Sequence, residues 1–387
     1  MKRIKIFIFI YFYLLIISSC LNNYYNDKEK EIKKQKKEIQ ILEKYYIICK
    51  YGVLLNKKIF EKVNEPKISI ISPIYNKEKY ILQFMRSIQN QYFDDIEIVL
   101  IDDCSKDNTK KEIEKLQKVD KRIILIKHNN NRGTLMSRNE GSMISKGKYL
   151  MFGDPDDLFS NDIFYFSFKE AEINNYDMIR YNIYNGNKKI FIDFNVNKFR
   201  KIYQPELSLY LFYGLGELTE IDYFIWNKFI KKDIFISSLK KIDDYYLNQN
   251  MIDCEDGLIN FMLHRTAKSY YFFKKIGYYY LLNNNSITYK NKENFKKRLK
   301  SNFLYFKFIF HYTHNNEIDK KIADYIFSTI YNNYKLYIYN LLKELNKDLL
   351  FYKDIVNIYL NCNYISKENK KILKEIKFYL YNYTIKK

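Results

Sequence analysis

Asp154, Asp156 and Asp157 crowd three carboxylates into four positions around Pro155, directly after the apolar run KYLMFG (148–153). Like charges this close repel, and withdrawing them from water is costly unless a cation offsets them. The stretch is therefore either a solvated turn or a place where something positive binds, and hard carboxylate oxygens suit a divalent cation. Two more acidic pairs stand at the ends of apolar segments. Asp102–Asp103 closes "IEIVLIDD" and Glu255–Asp256 opens "CEDGLINFMLHR". Such carboxylates serve as metal ligands or as proton acceptors. Both pairs also have a plainer reading as helix-start residues, where side-chain acceptors and negative charge are favoured.

The elements around these residues decide whether they meet. After Pro66, 67–75 is a β-branched strand and 76–93 a helix with Ile81, Phe84, Met85 and Ile88 at helical spacing. Residues 96–103 form a second strand, 107–119 a charged helix with Asp107 placed to cap it, and 122–128 a third strand. Residues 134–147 read as a helix stopped near Gly147, and 148–154 as a fourth strand. Strand–helix alternation at this density predicts an α/β fold with a mostly parallel sheet flanked by helices. In open sheets of this kind ligands bind at the carboxyl ends of the strands. Three strands end in polar or acidic residues, at Tyr75–Asn76, Asp102–Asp103 and Asp154–Asp157, so these should converge on one rim, which favours the cation-binding reading. Beyond 165 the pattern loosens to a helix over 162–174, a strand near 176–184, a turn at "YNGNKK" and the single tryptophan, Trp226. Residues 252–272 read as one acidic-started amphipathic helix. From about 291 the chain is Lys- and Tyr-rich helix with Phe303, Phe306 and Phe310 as a core stripe.

The 387 residues carry 66 Lys and Arg against 45 Asp and Glu, a net charge of +21. The lysines are dispersed and no nucleic-acid-binding motif occurs, so nucleic acid is not expected as a partner. The five cysteines, Cys20, Cys49, Cys104, Cys254 and Cys362, lack the spacing of a thiolate metal cluster. The start is informative: MKRIK precedes sixteen uncharged residues, 6–21, and a charged stretch at 27–44 follows. A signal anchor is the favoured reading, with 22–65 as a helical stalk. A cleaved signal peptide, for which "SSC" offers small residues, and a lipoprotein processing site are its alternatives. All three carry the rest of the chain onto or across a membrane, in the Golgi or endoplasmic reticulum of a eukaryote or the inner membrane of a bacterium.

The stretches PKISIISPIYNKEKYI, IEIVLIDDCSKDNT, HNNNRGTLMSRNEG, GKYLMFGDPDD and CEDGLINF together resemble the family 2 glycosyltransferases of the GT-A fold, strongly over 66–160 and more weakly over 220–290. The resemblance implies an inverting transfer of a sugar from a nucleotide-diphosphate sugar, UDP-linked by expectation, to a glycan, lipid or protein acceptor, with Mn2+ or Mg2+. It places Asp156 and Asp154 at the metal, with Asp154 also toward the donor ribose. It sets Asp103 against the base N3–H, with Asp102 structural, and Tyr75 as a stacking partner. Arg132 and Arg138, the latter in the family's R-N-x-G stretch, meet the diphosphate, and a surface helix arginine is the plainer reading of Arg138. Asp256, with Glu255 as alternate, stands where the family carries its catalytic base, and 226–235 and 277–288 flank the acceptor side. Two departures stand out: Pro155 replaces a small residue, and Cys104 stands where glycine is common, which predicts a different local backbone. The resulting division is a glycosyltransferase domain over 66–290, split at 165/166 into donor and acceptor halves, and a helical region over 291–387.

Other classes remain open at this point. Metal-dependent phosphatases and nucleases also cluster aspartates on α/β sheets, but need neither Tyr75 nor a separate Glu255–Asp256 pair. A non-catalytic nucleotide-sugar or carbohydrate-binding module would retain the fold without needing a base. A tethered structural protein would leave the acidic rim unexplained. "NNS" (284–286) and "NYT" (382–384) are glycosylation acceptors only in a secretory lumen.

Overall fold

The computed structural model describes residues 60–185, 201–203, 224–249, 251–281 and 292–312, with 370, 371 and 374. The expected membrane segment 1–21, most of the stalk, the turn after Asn185, residues 282–288 and both glycosylation acceptors lie outside these residues, as do the side chains of Phe303, Phe306 and Phe310. Among the described residues, no helix is long and apolar enough to cross a membrane. The described end of the stalk, 60–65, is not helical; Phe60 bridges Asp120 instead, and its ring lies 3.9 Å from the Arg122 guanidinium.

The first half is built from β1 (Ile68–Ile74), α1 (Ile81–Gln89), β2 (Ile96–Asp102), α2 (Thr109–Val119), β3 (Ile123–Lys127), α3 (Thr134–Ile144) and β4 (Tyr149–Phe152). These strands are parallel, and β2 and β4 are buried along their whole length, which is why they read as mostly apolar, with Glu97 a buried exception in β2 whose carboxylate accepts from the Ser69 hydroxyl at 2.6 Å. The four apolar residues of α1 that share helical spacing are all fully buried against this sheet. Asp107 does not sit at the N-cap of α2, which is Asn108; its carboxylate accepts from the Thr109 N–H at 3.0 Å one residue further on.

The rest comprises β5 (Leu158–Phe159), α4 (Ile163–Asn174), β6 (Met178–Asn185), β7 (Lys201–Tyr203), β8 (Lys228–Lys231), α5 (Lys232–Leu239), α6 (Asp244–Leu247), α7 (Glu255–Thr266), β9 (Ser269–Tyr280) and α8 (Lys292–Tyr312). Among the described residues the sheet has nine strands, in the order β3-β2-β1-β4-β8-β6-β9-β5, with β7 on β9. It is mixed, not mostly parallel: β8 runs against both β4 and β6, and β5 and β7 run against β9. Right-handed strand–helix–strand crossovers account only for the first four strands; the later ones lack that alternation. The helix expected over 252–272 ends at Thr266, and the aromatic run from Ser269 is strand β9. Its Tyr, Phe and Ile content suits a strand, but its continuity with the helix leaves no punctuation to mark the change.

This topology positions the site. The carboxyl ends of β1, β2 and β4 share a rim. Because β8 is antiparallel to β4, its leading segment, 224–227, arrives at that rim. Because β9 is parallel to β6, which opposes β8, its carboxyl end also arrives there, at Tyr278–Leu281.

Candidate active site

The acidic stretch is a tight turn. Asp157 N–H donates to Asp154 O at 3.0 Å, with Pro155 at the second position, where its ring pre-sets the backbone and its missing N–H is not needed. Two bonds from the end of β9 hold the turn: Asp154 N–H donates to the Tyr278 hydroxyl at 2.8 Å, and Leu281 N–H donates to Asp157 Oδ1 at 2.8 Å. Asp157 is buried, and burial, followed by the charges of Asp154 and Asp156, pushes its carboxyl far above the usual range. It holds the turn to β9. Asp154 and Asp156 face the rim. Desolvation raises Asp154 to about 6 against the opposing pull of Arg138, with Asp256 and Asp156 adding to the rise. Asp156 Oδ2 lies 2.6 Å from Lys77 Nζ.

Arg138 is not a surface arginine. Gly141, one turn on, lets α3 lie directly on the sheet: a Cβ there would stand 2.7 Å from Ile71 and 2.8 Å from Ile101. That close approach buries Arg138, only 2% exposed. Its guanidinium donates to Asp154 Oδ1 at 3.1 Å from one nitrogen and to Asp256 Oδ1 from another, with Glu255 at 3.8 Å. Burial works against its charge, but Asp256, Asp154 and Glu255 outweigh it and hold the cation firmly protonated. The arginine expected to meet a diphosphate thus joins the two acidic sets.

Glu255 and Asp256 open α7, where the helix dipole favours negative charge. The residue before them, Cys254, takes the left-handed conformation at φ 64. Asp256 Oδ2 accepts from Ile225 N–H at 3.1 Å, tying α7 to the segment that leads into β8. Burial, then the Asp256 charge, raises Glu255 to about 8.

On the other side of the rim the buried Asp103 is the centre of a hydrogen-bond cluster. It accepts from the Arg132 and Gly133 backbone N–H groups, both at 2.8 Å, and lies 2.7 Å from His128 Nδ1. Gly133 has φ 87 and is the N-cap of α3. A carboxylate has about four acceptor positions, so these three partners occupy most of them. Neither Asp102 nor Asp103 caps α2; Asp102 accepts from Ser105 N–H at 3.0 Å, a turn-forming role. Cys104 has φ 68, the left-handed conformation that glycine favours. The Arg132 side chain pairs with Glu140 at 2.9 Å, and Tyr75 is 43% exposed at the rim. Asp103→Ala is expected to destabilise the fold by about 1–3 kcal/mol for each buried donor left without an acceptor. Denaturant titration measures it, and an unchanged midpoint would remove Asp103 as the organiser of this loop.

Sequence reasoning missed Lys77, His128 and Tyr278. Each is common or charged in its neighbourhood, and only long-range pairing singles it out. Tyr278 also stacks on Trp226 at 4.6 Å, which in turn stacks on Phe224 at 4.6 Å and Tyr280 at 5.8 Å. This aromatic column stands beside Asp154 and Asp256.

Residues 69–235 match the family model described as Glycosyl transferase family 2. That match spans less than half of the chain, and over it the chain is similar to the family. Among curated relatives, the uncharacterized glycosyltransferase EpsJ of Bacillus subtilis (strain 168) is 30% identical over 172 residues, 44% of this chain and 49% of EpsJ. The GalNAc(5)-diNAcBac-PP-undecaprenol beta-1,3-glucosyltransferase of Campylobacter jejuni is 39% identical over 93 residues, 24% of this chain and 30% of that enzyme. The chain spans about half the length, or less, of the curated relatives it matches. The structure of S. aureus TarS 1-349 in complex with UDP aligns at TM-score 0.59 and 18% identity, covering 82% of this chain and 89% of that one. That likeness shows the fold, a mixed α/β sheet flanked by helices of the GT-A kind.

Family 2 resemblance implied Mn2+ or Mg2+. The donor set fits a hard cation: Asp154 and Asp156 offer carboxylate oxygens, and Asp156 already attracts the Lys77 ammonium. Among the described residues no group of three or more His, Cys, Asp or Glu is arranged to hold a metal. A cation at this turn would therefore draw further ligands from a bound anionic substrate and water.

Proposed function

We propose that the chain transfers a sugar, with inversion, from a UDP-linked donor to a hydroxyl of a glycan, lipid or protein acceptor. The observation that carries this reading is the span of Arg138: one guanidinium touches both Asp154, in the turn after β4, and Asp256, at the start of α7. Leaving-group and nucleophile chemistry need charged groups on two sides of one carbon, and this arginine draws the two sets together.

In this reading Tyr75 stacks on the donor base and Asp103 accepts its N–H. The diphosphate lies over the Asp154–Asp156 turn, within reach of Arg132 and Lys77. A bound divalent cation would stabilise the charge that builds on the departing diphosphate. Asp156 and Asp154 would hold it. On the opposite face Asp256 or Glu255 accepts the proton of the attacking hydroxyl. The column of Phe224, Trp226, Tyr278 and Tyr280 gives the acceptor side an apolar wall. The structures of TarS with UDP and with UDP-GlcNAc support a uridine donor. The undecaprenol-linked substrate in the Campylobacter relative's name supports a lipid-linked glycan as acceptor, and attachment through residues 1–21 would hold the enzyme beside it.

A panel of UDP-sugars, assayed for hydrolysis and transfer with Mn2+, tests the proposal. One donor should turn over in the parent, and Asp156→Asn should abolish metal-dependent donor binding while the protein melts normally. A folded parent that neither binds nor turns over any nucleotide sugar would overturn it.

A further inference from the structure

Lys77 follows β1 in a run that reads as an ordinary charged loop, but its main chain is fixed from several directions. Asn76, just before it, is left-handed at φ 52. Asn76 N–H donates to Ser105 Oγ at 3.0 Å, and its side-chain oxygen accepts from Lys106 N–H at 2.8 Å. Lys77 N–H donates to Thr109 Oγ1 at 2.7 Å, and Glu78 N–H donates to Asp107 Oδ2 at 3.1 Å. The loop after β1 is thereby braced against the loop after β2. From this root the side chain passes the Tyr80 ring, 5.7 Å away, and ends 2.6 Å from Asp156 Oδ2. The two side chains are only 22% and 16% exposed.

An ion pair on open surface contributes little, because water screens it and two long side chains must be ordered. This one is short, shielded and rooted in a braced loop. It also involves the carboxylate that the proposed reaction assigns to a divalent cation. We propose that Lys77 is a tethered counter-cation for Asp156. It neutralises the carboxylate when no divalent cation is bound, competes with that cation for the same oxygens, and on displacement turns its donors to the diphosphate. The inference rests on reading Asp156 as the metal-facing carboxylate.

The chemistry of the lysine suits this role. An ammonium is a compact charge on a flexible four-carbon stem, so it can leave Asp156 without disturbing the fixed backbone. Its three N–H donors then remain near the rim, where phosphate oxygens are strong acceptors. Lys77 would therefore weaken binding of the cation alone and favour binding of cation and diphosphate together. The protein would thus keep its acidic turn neutralised and take up the metal chiefly with the donor.

Isothermal titration of the full chain with Mn2+, first alone and then with UDP, tests this. Lys77→Gln should bind Mn2+ alone about fivefold more tightly than the parent, the worth of a partly shielded ion pair, and should lose that advantage when UDP is present. Lys77→Arg, which retains the charge, should remain within about twofold of the parent. Asp156→Asn should bind Mn2+ poorly whether or not Lys77 is also changed. Equal Mn2+ affinity in the parent and Lys77→Gln, or no Mn2+ binding in either, would overturn the inference. Because Mn2+ alone is the primary probe, a Lys77-dependent affinity in a protein without sugar transfer would remove the enzymatic reading and leave this one standing.

Discussion

Asp256→Asn should lower turnover by roughly 10²–10⁴-fold, the usual contribution of a general base. Affinity for nucleotide and Mn2+ should change only a few-fold. It should not be wholly unchanged, because Arg138 is shared between Asp256 and Asp154 and a neutral amide at 256 lets the guanidinium favour Asp154. The geometry also makes Glu255 a serious rival. Asp256 has one oxygen on Arg138 and the other on Ile225 N–H, whereas Glu255 lies 3.8 Å from Arg138 and is raised to about 8 by burial and by Asp256. A base works only when deprotonated. If Glu255 takes the proton, kcat/KM of the parent climbs through about pH 8 and Glu255→Gln abolishes both the climb and the activity. If Asp256 takes it, Asp256→Asn is the dead variant, and Glu255→Gln remains active without that climb. Near-normal turnover in both variants would move the base elsewhere.

Arg138→Met should destabilise the fold by about 3–5 kcal/mol near neutral pH, the usual cost of leaving a buried charge without its partner. Three carboxylates, Asp154, Glu255 and Asp256, would then face one another with their shared cation gone. The loss should depend on pH in a defined direction. Asp154 and Glu255 are raised to about 6 and about 8 even with Arg138 present, and its charge is what restrains them. Without it their folded values rise further above those of the unfolded chain. Between the unfolded and folded values the native state holds protons that the unfolded state has released, so stability falls as pH rises through that window. The variant should therefore come close to the parent near pH 4–5 and lie well below it at pH 8, as read by urea denaturation at both values. Arg138→Lys should recover only part of the loss, because a single ammonium cannot span both carboxylates. An equal deficit at both pH values would assign the arginine to packing and not to charge.

Much of the framework is local and was legible in the chain. Ile81, Phe84, Met85 and Ile88 share one helix face because side-chain spacing reports the period of the element that carries them, and all four are buried. β1, β2 and β4 read as buried because parallel strands covered on both faces are apolar at most positions. Their common rim followed from strand–helix alternation, which permits few arrangements.

What the chain did not disclose lies at long range. Arg138 is 118 residues from Asp256, and Lys77 is 79 from Asp156. Neither pairing leaves a mark in residue spacing, since it depends on strand order and on how closely Gly141 lets α3 approach the sheet. The antiparallel strands were hidden too: β8 is short, and β9 follows α7 without a glycine or proline between them. By itself the sequence determined the apolar periods, the acidic strand ends and the rim on which they gather. Only the tertiary structure decided that one buried guanidinium would join two acidic sets, and that a lysine would stand against the carboxylate assigned to a metal. Side-chain type and short spacing encode local geometry, whereas the balance of charge in a desolvated site is set by whichever distant groups the sheet brings within a few ångströms.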